Sequence, residues 1–217
     1  MIPVVPAIIP KSETELLEMM TLLQGVPELH VDVVDGKFVP FTSWPYEPAG
    51  VPKSVAIKAS AFTLEVDLMV EDERAAAEAW LMAGADMLVF HVEAITLAAF
   101  RDFANNAPAG VSVIISAKNS TPLQDLLPYV PYADGVQLMG IAEIGAQGQS
   151  FDERVLERII HLKQDHPQAL ITIDGSVNET TIPVLKAAGA NRFICGSAIT
   201  QAINPLLAYK ALHALAN

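Results

Sequence analysis

Eight short apolar segments recur along this chain, and stretches with a helical period or a turn separate them. Apolar runs without alternation are typical of strands that are buried on both faces, as in parallel sheets covered by helices. Eight strand–helix units in 217 residues suit the length of a small (β/α)8 barrel. We therefore predict an α/β fold, a (β/α)8 TIM barrel, as one domain spanning residues 1–217. The predicted strands are Val4–Ile9, Leu29–Val34, Leu64–Met69, Met87–His91, Val111–Ser116, Val136–Met139, Leu170–Asp174 and Arg192–Cys195.

Residues with capping side chains mark where helices are expected to begin. Ser12 and Glu15 have the spacing of a capping box. Thr121 is predicted to cap a helix over Pro122–Leu127, since proline is tolerated in the first turn. Residues 36–54 are rich in proline, glycine and aromatic residues and show no helical period, which predicts a long loop with at most a short helical turn.

The charge balance limits the kinds of partner. The chain carries 25 acidic and 13 basic residues, and its formal charge of −12 argues against nucleic acid or an anionic membrane. The sequence has no apolar run of the roughly 18 residues that span a bilayer, and its start lacks the pattern of a signal peptide. The single Cys195 excludes an internal disulfide and fits a cytoplasmic location. A phosphorylated small molecule remains compatible, since backbone N–H groups can bind phosphate, and assembly into a homo-oligomer stays open.

Ionisable side chains follow several predicted strands towards their carboxyl ends, where barrels of this kind hold their active sites. His30 and Asp32 share one face of the second strand, Asp67 lies in the third and Asp174 ends the seventh. Taken alone, each is as compatible with a strand-end group that is solvated or caps a loop as with a functional residue. Together they would repel one another without a cation. We therefore predict a divalent metal bound by His30, Asp32, Asp67 and Asp174, and the oxygen-rich donor set favours Mn²⁺ or Mg²⁺.

Two of these carboxylates also suit proton transfer. Moving a C–H proton next to a carbonyl requires a base on one side, and inversion requires an acid on the other. Asp32 and Asp174 lie on different strands and are the candidates for this pair. His91, at the end of the fourth strand, is ranked below them, because a lone histidine is more often structural than a ligand.

Small residues follow the last two strands, where barrels often bind phosphate. Gly175 and Ser176 follow the seventh strand, and Gly196 and Ser197 follow the eighth. Ordinary tight turns are the alternative interpretation of both sequences. Cys195, within an apolar strand, is expected to be buried and inert.

The motifs resemble those of the ribulose-phosphate 3-epimerase family over nearly the whole chain. The matching stretches are His30–Pro40, Asp67–Glu71, Ala83–Asp86, Phe90–Ala94, Ile173–Val177, Ala188–Ala190 and Cys195–Ile199. The resemblance implies a ribulose-phosphate-binding barrel that interconverts D-ribulose 5-phosphate and D-xylulose 5-phosphate at C3. It also implies a divalent metal (Zn, Fe, Mn or Mg), Asp32 and Asp174 as paired acid and base, and phosphate contacts from Gly175, Ser176, Gly196 and Ser197.

Some positions depart from the family pattern. Asp67 stands where the family has a histidine ligand, Ala7 replaces an early serine, and Val34 replaces a methionine. The glycine-rich loop 140–150 is altered in spacing, and it carries Glu143. Two alternatives therefore stay open: a related sugar-phosphate isomerase or lyase with another substrate, and a non-catalytic paralogue that binds a phosphorylated metabolite.

Overall fold

The computed structural model describes residues 2–52, 62–145 and 148–217. Within them, eight parallel strands form a closed barrel in which each strand pairs with the next and the last pairs with the first. The predicted (β/α)8 barrel is confirmed, with strand ends within one or two residues of the prediction. The strands are β1 (Val4–Ile8), β2 (Glu28–Val34), β3 (Thr63–Met69), β4 (Met87–His91), β5 (Ser112–Ala117), β6 (Gly135–Met139), β7 (Ile171–Asp174) and β8 (Arg192–Cys195).

Helices follow most of the strands and cover the outside of the barrel. Among the described residues these are α1 (Glu13–Leu22), α2 (Glu73–Ala83), α3 (Leu97–Asn106), α4 (Leu123–Leu126), the 3₁₀ helix Leu127–Tyr132, α5 (Arg154–Asp165), α6 (Thr181–Ala188), α7 (Ser197–Thr200) and α8 (Pro205–Ala216). None of the helices in this part of the chain has both the length and the apolar character needed to cross a membrane.

The two capping predictions have different outcomes. Ser12 caps α1 as predicted, because its Oγ accepts a hydrogen bond from the N–H of Glu15 at 3.1 Å. The prediction that Thr121 caps the following helix is wrong. Pro122 is the N-cap residue there, without a side-chain cap, and the Thr121 hydroxyl instead donates to the carboxylate of Glu93. Glu93, which follows β4, accepts the hydrogen bond of this hydroxyl. The local sequence around Thr121 gives no sign of this partner, because Glu93 lies 28 residues away.

Alternate residues of each strand face opposite sides of the barrel wall. On β2, Val31 and Val33 point outwards into the main hydrophobic core beneath the helices. His30 and Asp32 point into the barrel interior, called the lumen below, where they contact each other. The lumens of such barrels are usually filled by branched aliphatic side chains, whereas this one contains a cluster of buried charged groups.

The described part of the loop after β2, residues 36–52, contains no helix, as predicted; residues 53 and 54 of the predicted loop lie outside the described residues. Asp35 fixes its start, since Oδ1 accepts from the N–H groups of Lys37 and Phe38 and Oδ2 accepts from that of Glu71. Trp44 anchors the loop with its ring edge-on against Trp80 of α2, at 5.9 Å between centroids.

Candidate active site

Four of the predicted site residues converge at the carboxyl end of the barrel. His30, Asp32, Asp67 and Asp174 each place one potential ligand atom within 4.8 Å of the others. Opposite ligands around an ion with bonds of about 2.1–2.2 Å are separated by roughly 4.2–4.4 Å. The four donors therefore come close to the spacing that a divalent ion requires, and their chemistry, three carboxylates and one imidazole, fits such an ion.

A chain of buried ion pairs orients His30. Its Nδ1 lies 2.5 Å from Glu65 Oε1, and Glu65 Oε2 lies 2.8 Å from a guanidinium nitrogen of Arg192. Arg192 also contacts Glu28, at 3.0 Å. The imidazole donates its Nδ1 proton to Glu65, so its Nε2 faces Asp32 Oδ1 at 3.1 Å. A cation at the centre would replace the Nε2 proton.

The charges in this chain shift its pKa values strongly. Burial alone would lower the pKa of His30, but the carboxylates of Asp32 and Glu65 raise it well above its ordinary value. Burial alone would raise the pKa of Glu65, yet Arg192 and His30 lower it to about 2. The Glu65 carboxylate thus stabilises the protonated form of His30, and Arg192 and His30 stabilise the ionised form of Glu65.

Asp67 makes two further hydrogen bonds in the lumen. Its Oδ1 lies 2.7 Å from His91 Nε2, and its Oδ2 lies 2.6 Å from Gln137 Nε2. All three side chains are fully buried. His91, which the sequence ranks as a secondary candidate, thus supports the carboxylate of Asp67.

A cavity of about 480 Å³ opens above these residues. Asp32 and Asp174 line it, whereas the fully buried His30 and Asp67 lie beneath its floor. Ala7 and Met69 contribute apolar wall. The four residues predicted to contact phosphate also line this cavity: Gly175, Ser176, Gly196 and Ser197.

Burial and mutual repulsion alter the two cavity carboxyls. Burial raises the pKa of Asp174 well above its ordinary value, and the negative charge of Asp32 raises it further. Burial also raises the pKa of Asp32, although His30 partly counteracts this effect. Perturbed carboxyls in a cleft mark a candidate catalytic site.

The loop after β7 has an unusual backbone. Gly175 has a φ of 93°, and Ser176 has a φ of 54°, a left-handed conformation that costs energy for a residue with a Cβ. Gly140 packs against this loop so closely that a Cβ would collide with the carbonyl oxygen of Gly175. Its N–H donates to the carbonyl of Asp174 at 2.6 Å. The end of β6 thus fixes the turn in which Gly175 and Ser176 lie.

Sequence reasoning missed three residues around the site, namely Glu65, Gln137 and Arg192. Glu65 could have been found, because it lies two residues before Asp67 on the same strand and so shares its face. Glu143, carried by the altered loop 140–150, is exposed and is not among the cavity-lining residues. Cys195 is buried as expected, and burial raises the pKa of its thiol.

Comparison with known proteins identifies the relatives of this chain. Residues 4–200 match the ribulose-phosphate 3-epimerase family. The chain belongs to this family. It is accordingly an isomerase of the epimerase type, as the sequence motifs indicate.

Individual members of this family match the chain over most of their length. The chain is 31% identical to the ribulose-phosphate 3-epimerase of Mycobacterium tuberculosis, in a match covering 96% of this chain and 90% of the relative. It is 30% identical to the cytoplasmic isoform of this enzyme from Oryza sativa, with 83% of this chain and 78% of the relative covered. Among solved structures, a 3-hexulose-6-phosphate synthase superposes with a TM-score of 0.74 at 20% identity, covering 99% of this chain and 100% of that one, which supports the fold.

Proposed function

We propose that this protein is a metal-dependent epimerase that interconverts D-ribulose 5-phosphate and D-xylulose 5-phosphate by proton transfer at C3. One observation carries the proposal: Asp32 and Asp174 line the same cavity as the two phosphate-loop candidates. The cavity, at about 480 Å³, lies in the size range of small-molecule sites. The family membership agrees with this substrate class.

The two carboxyl groups exchange protons with the substrate. Asp32 Oδ1 faces His30 Nε2 and the candidate metal centre, so Oδ2 is the atom that removes the C3 proton in one direction. Asp174, whose pKa is raised by burial, delivers a proton to the opposite face of the resulting enediolate. The roles of the two residues exchange in the reverse direction, and the result is inversion at C3.

His30, Asp32, Asp67 and Asp174 would hold the metal ion. Three oxygen donors beside one nitrogen favour Mn²⁺ or Mg²⁺ among the candidates Zn, Fe, Mn and Mg. A divalent ion bound there supplies positive charge beside the oxygens on which the negative charge of the enediolate develops.

The phosphate group binds at the other side of the cavity. Ser176 offers a backbone N–H group after β7, and Gly196 and Ser197 offer them after β8, while the N–H of Gly175 donates to the carboxylate of Asp174 and positions the turn. Backbone donors of this kind bind a phosphate without basic side chains, in keeping with the acidic composition of the chain. Anchoring the phosphate there holds C3 of the sugar between the two carboxyl groups.

The test follows the exchange of the C3 proton with solvent deuterium. Metal-stripped protein is incubated with D-ribulose 5-phosphate and, in turn, Mn²⁺, Mg²⁺, Fe²⁺ and Zn²⁺, and D-xylulose 5-phosphate is measured in parallel. We expect turnover with at least one ion and a loss of about 10²–10⁴-fold in Asp174→Asn. Glu179→Gln is the matched control, because Glu179 lines the same cavity but has no role in proton transfer. Wild-type protein that is silent with every ion would contradict the proposal.

A related epimerisation of another ketose phosphate is the second candidate. Ala7 and Ile9 line the cavity, and Ala7 stands where the family pattern has a serine hydroxyl. The loss of a polar contact to the sugar favours a substrate that differs from ribulose 5-phosphate near this wall. A panel of pentose and hexose phosphates separates the two candidates by which compound exchanges its proton. A non-catalytic paralogue would be stabilised by one of these compounds without exchange.

A cytoplasmic location is part of the proposal. It is supported by the lone Cys195, which excludes an internal disulfide, and by the cytoplasmic relative from Oryza sativa. Fluorescence of a tagged chain in its native cell would test it, and a compartmented signal would contradict it.

A further inference from the structure

Asp67 is the ligand candidate that departs from the family pattern, and its surroundings differ from those of the other three. It accepts hydrogen bonds at both carboxylate oxygens, from His91 Nε2 at 2.7 Å and from Gln137 Nε2 at 2.6 Å. The donors come from two other strands, β4 and β6, and both are fully buried.

The two hydrogen bonds hold different oxygens. Asp67 Oδ2 lies 3.9 Å from His30 Nε2, so it is the oxygen that faces the candidate metal centre. Gln137 donates to this oxygen, whereas His91 donates to Oδ1. Gln137 therefore contacts the atom that would bind the cation.

A buried amide in a barrel lumen requires an explanation. Such positions are usually occupied by branched aliphatic side chains, and a buried polar group costs free energy unless it is paired. A carboxylate only accepts hydrogen bonds, so the NH₂ end of Gln137 must face Asp67. Its Oε1 has no hydrogen-bond partner among the described residues. The 2.6 Å contact with Asp67 is thus the strong hydrogen bond of this amide, beside a weaker one from Nε2 to Met139 Sδ at 4.0 Å.

The chemistry of a carboxylate explains why support is needed here. An aspartate is shorter than the histidine that the family pattern has at this position, and its planar group turns easily about its last side-chain bond. A donor on Oδ2 occupies one lone-pair direction and leaves another directed at the centre. Because the amide is neutral, it orients the ligand without adding a charge.

We propose that Gln137 is a positioning residue for the metal centre, which holds Asp67 Oδ2 towards the cation and thereby raises metal affinity. This inference rests on the metal site of the proposed function. It concerns binding of the ion alone, without substrate.

The experiment measures Mn²⁺ and Zn²⁺ binding to metal-stripped protein by titration calorimetry. Gln137→Met keeps the length of the side chain and removes the donor. We expect it to weaken binding by about 10- to 100-fold, the usual effect of removing a group that orients a metal ligand. Thr172→Val is the matched control: Thr172 is buried directly opposite Gln137 on β7, and it is not among the hydrogen-bond partners of Asp67 in the described residues. Its affinity should stay near that of the wild type.

A double-mutant cycle separates positioning from general damage. In an Asp67→Ala background, Gln137→Met should cause no further loss of affinity, because its effect passes through Asp67. Three results would each overturn the inference. Folded Gln137→Met could bind the ions as tightly as the wild type, Gln137→Met could weaken binding by the same factor in the Asp67→Ala background, or the wild type could bind neither ion. If Gln137→Met does not fold, Gln137→Asn replaces it, since the shorter amide cannot reach Asp67.

The two proposals fail in different ways. If the wild type turns over ribulose 5-phosphate but Gln137→Met binds the metal ion as tightly as the wild type, this inference alone is overturned. If Gln137→Met weakens metal binding through Asp67 as expected but the wild type shows no turnover, the proposed function alone is contradicted.

Discussion

Two buried glutamates on opposite sides of the barrel wall have pKa values shifted in opposite directions. Glu65, in the lumen, and Glu73, at the start of α2 outside the barrel, are 1% and 3% exposed. Burial raises the pKa of both carboxyl groups. Arg192 and His30 reverse this effect at Glu65 and lower its pKa to about 2. At Glu73, burial dominates in spite of His91, and the pKa rises to about 8.

The difference lies in the partners. Glu65 has a guanidinium and an imidazole at 2.8 Å and 2.5 Å, whereas Glu73 accepts a hydrogen bond from the backbone N–H of His91 at 2.6 Å. The lumen is a network of mutually compensated charges that ends at the candidate metal site. Glu73 has no such cationic side chain at hydrogen-bond distance among the described residues, and burial raises its pKa in spite of the hydrogen bond from the backbone of His91. Similar burial therefore has opposite consequences on the two sides.

The largest effect is expected from removing the guanidinium group of Arg192, which pairs with buried carboxylates of the lumen. Arg192→Leu leaves the carboxylates of Glu65 and Glu28 without their partner, and we expect a loss of about 3–5 kcal/mol in the free energy of unfolding. Urea unfolding of metal-stripped protein at pH 7 measures it. The double variant Arg192→Leu/Glu65→Leu should recover part of the loss, because the unpaired carboxylate of Glu65 is then gone as well. A single variant as stable as the wild type would show that the lumen charges are not coupled.

A smaller effect of opposite sign is expected outside the barrel. The folded-state pKa of Glu73, about 8, exceeds the ordinary value of 4.5. The stability that comes from holding its proton is therefore complete below about pH 4.5 and is lost as the pH rises towards 8. Glu73→Gln does not titrate and keeps an acceptor for the N–H of His91. We expect it to be more stable than the wild type by on the order of 3 kcal/mol at pH 8.

The control for this prediction is pH itself. Near pH 4 the wild-type carboxyl is largely protonated in both the folded and the unfolded protein, so the two proteins should have similar unfolding free energies. A gain of the same size at pH 4 and pH 8 would rule out the titration of Glu73 as its cause.

The smallest effect is expected from the apolar face of a strand. Ile115 of β5 is fully buried in the outer core, and Ile115→Val should cost about 1 kcal/mol of unfolding free energy. Because this side chain points away from the lumen, Mn²⁺ affinity should not change. A change in affinity comparable to that of Gln137→Met would show that the two faces of the wall are not independent.

The sequence by itself determined the barrel and the floor of its site. Strand and helix periods are local, and parallel strands of a barrel bring their carboxyl ends together, so His30, Asp32, Asp67 and Asp174 could be placed at one mouth. The tertiary structure alone decided what surrounds them. Arg192 meets Glu65 across 127 positions of sequence, and Gln137 meets Asp67 across 70. Such contacts depend on the strand register of the closed barrel, which decides which lumen residues lie next to one another. They also depend on whether an oppositely charged or hydrogen-bonding side chain is available beside a buried charge. Neither is encoded in local periodicity, which is why the Thr121 cap was wrong and the role of Gln137 could not be read from the chain.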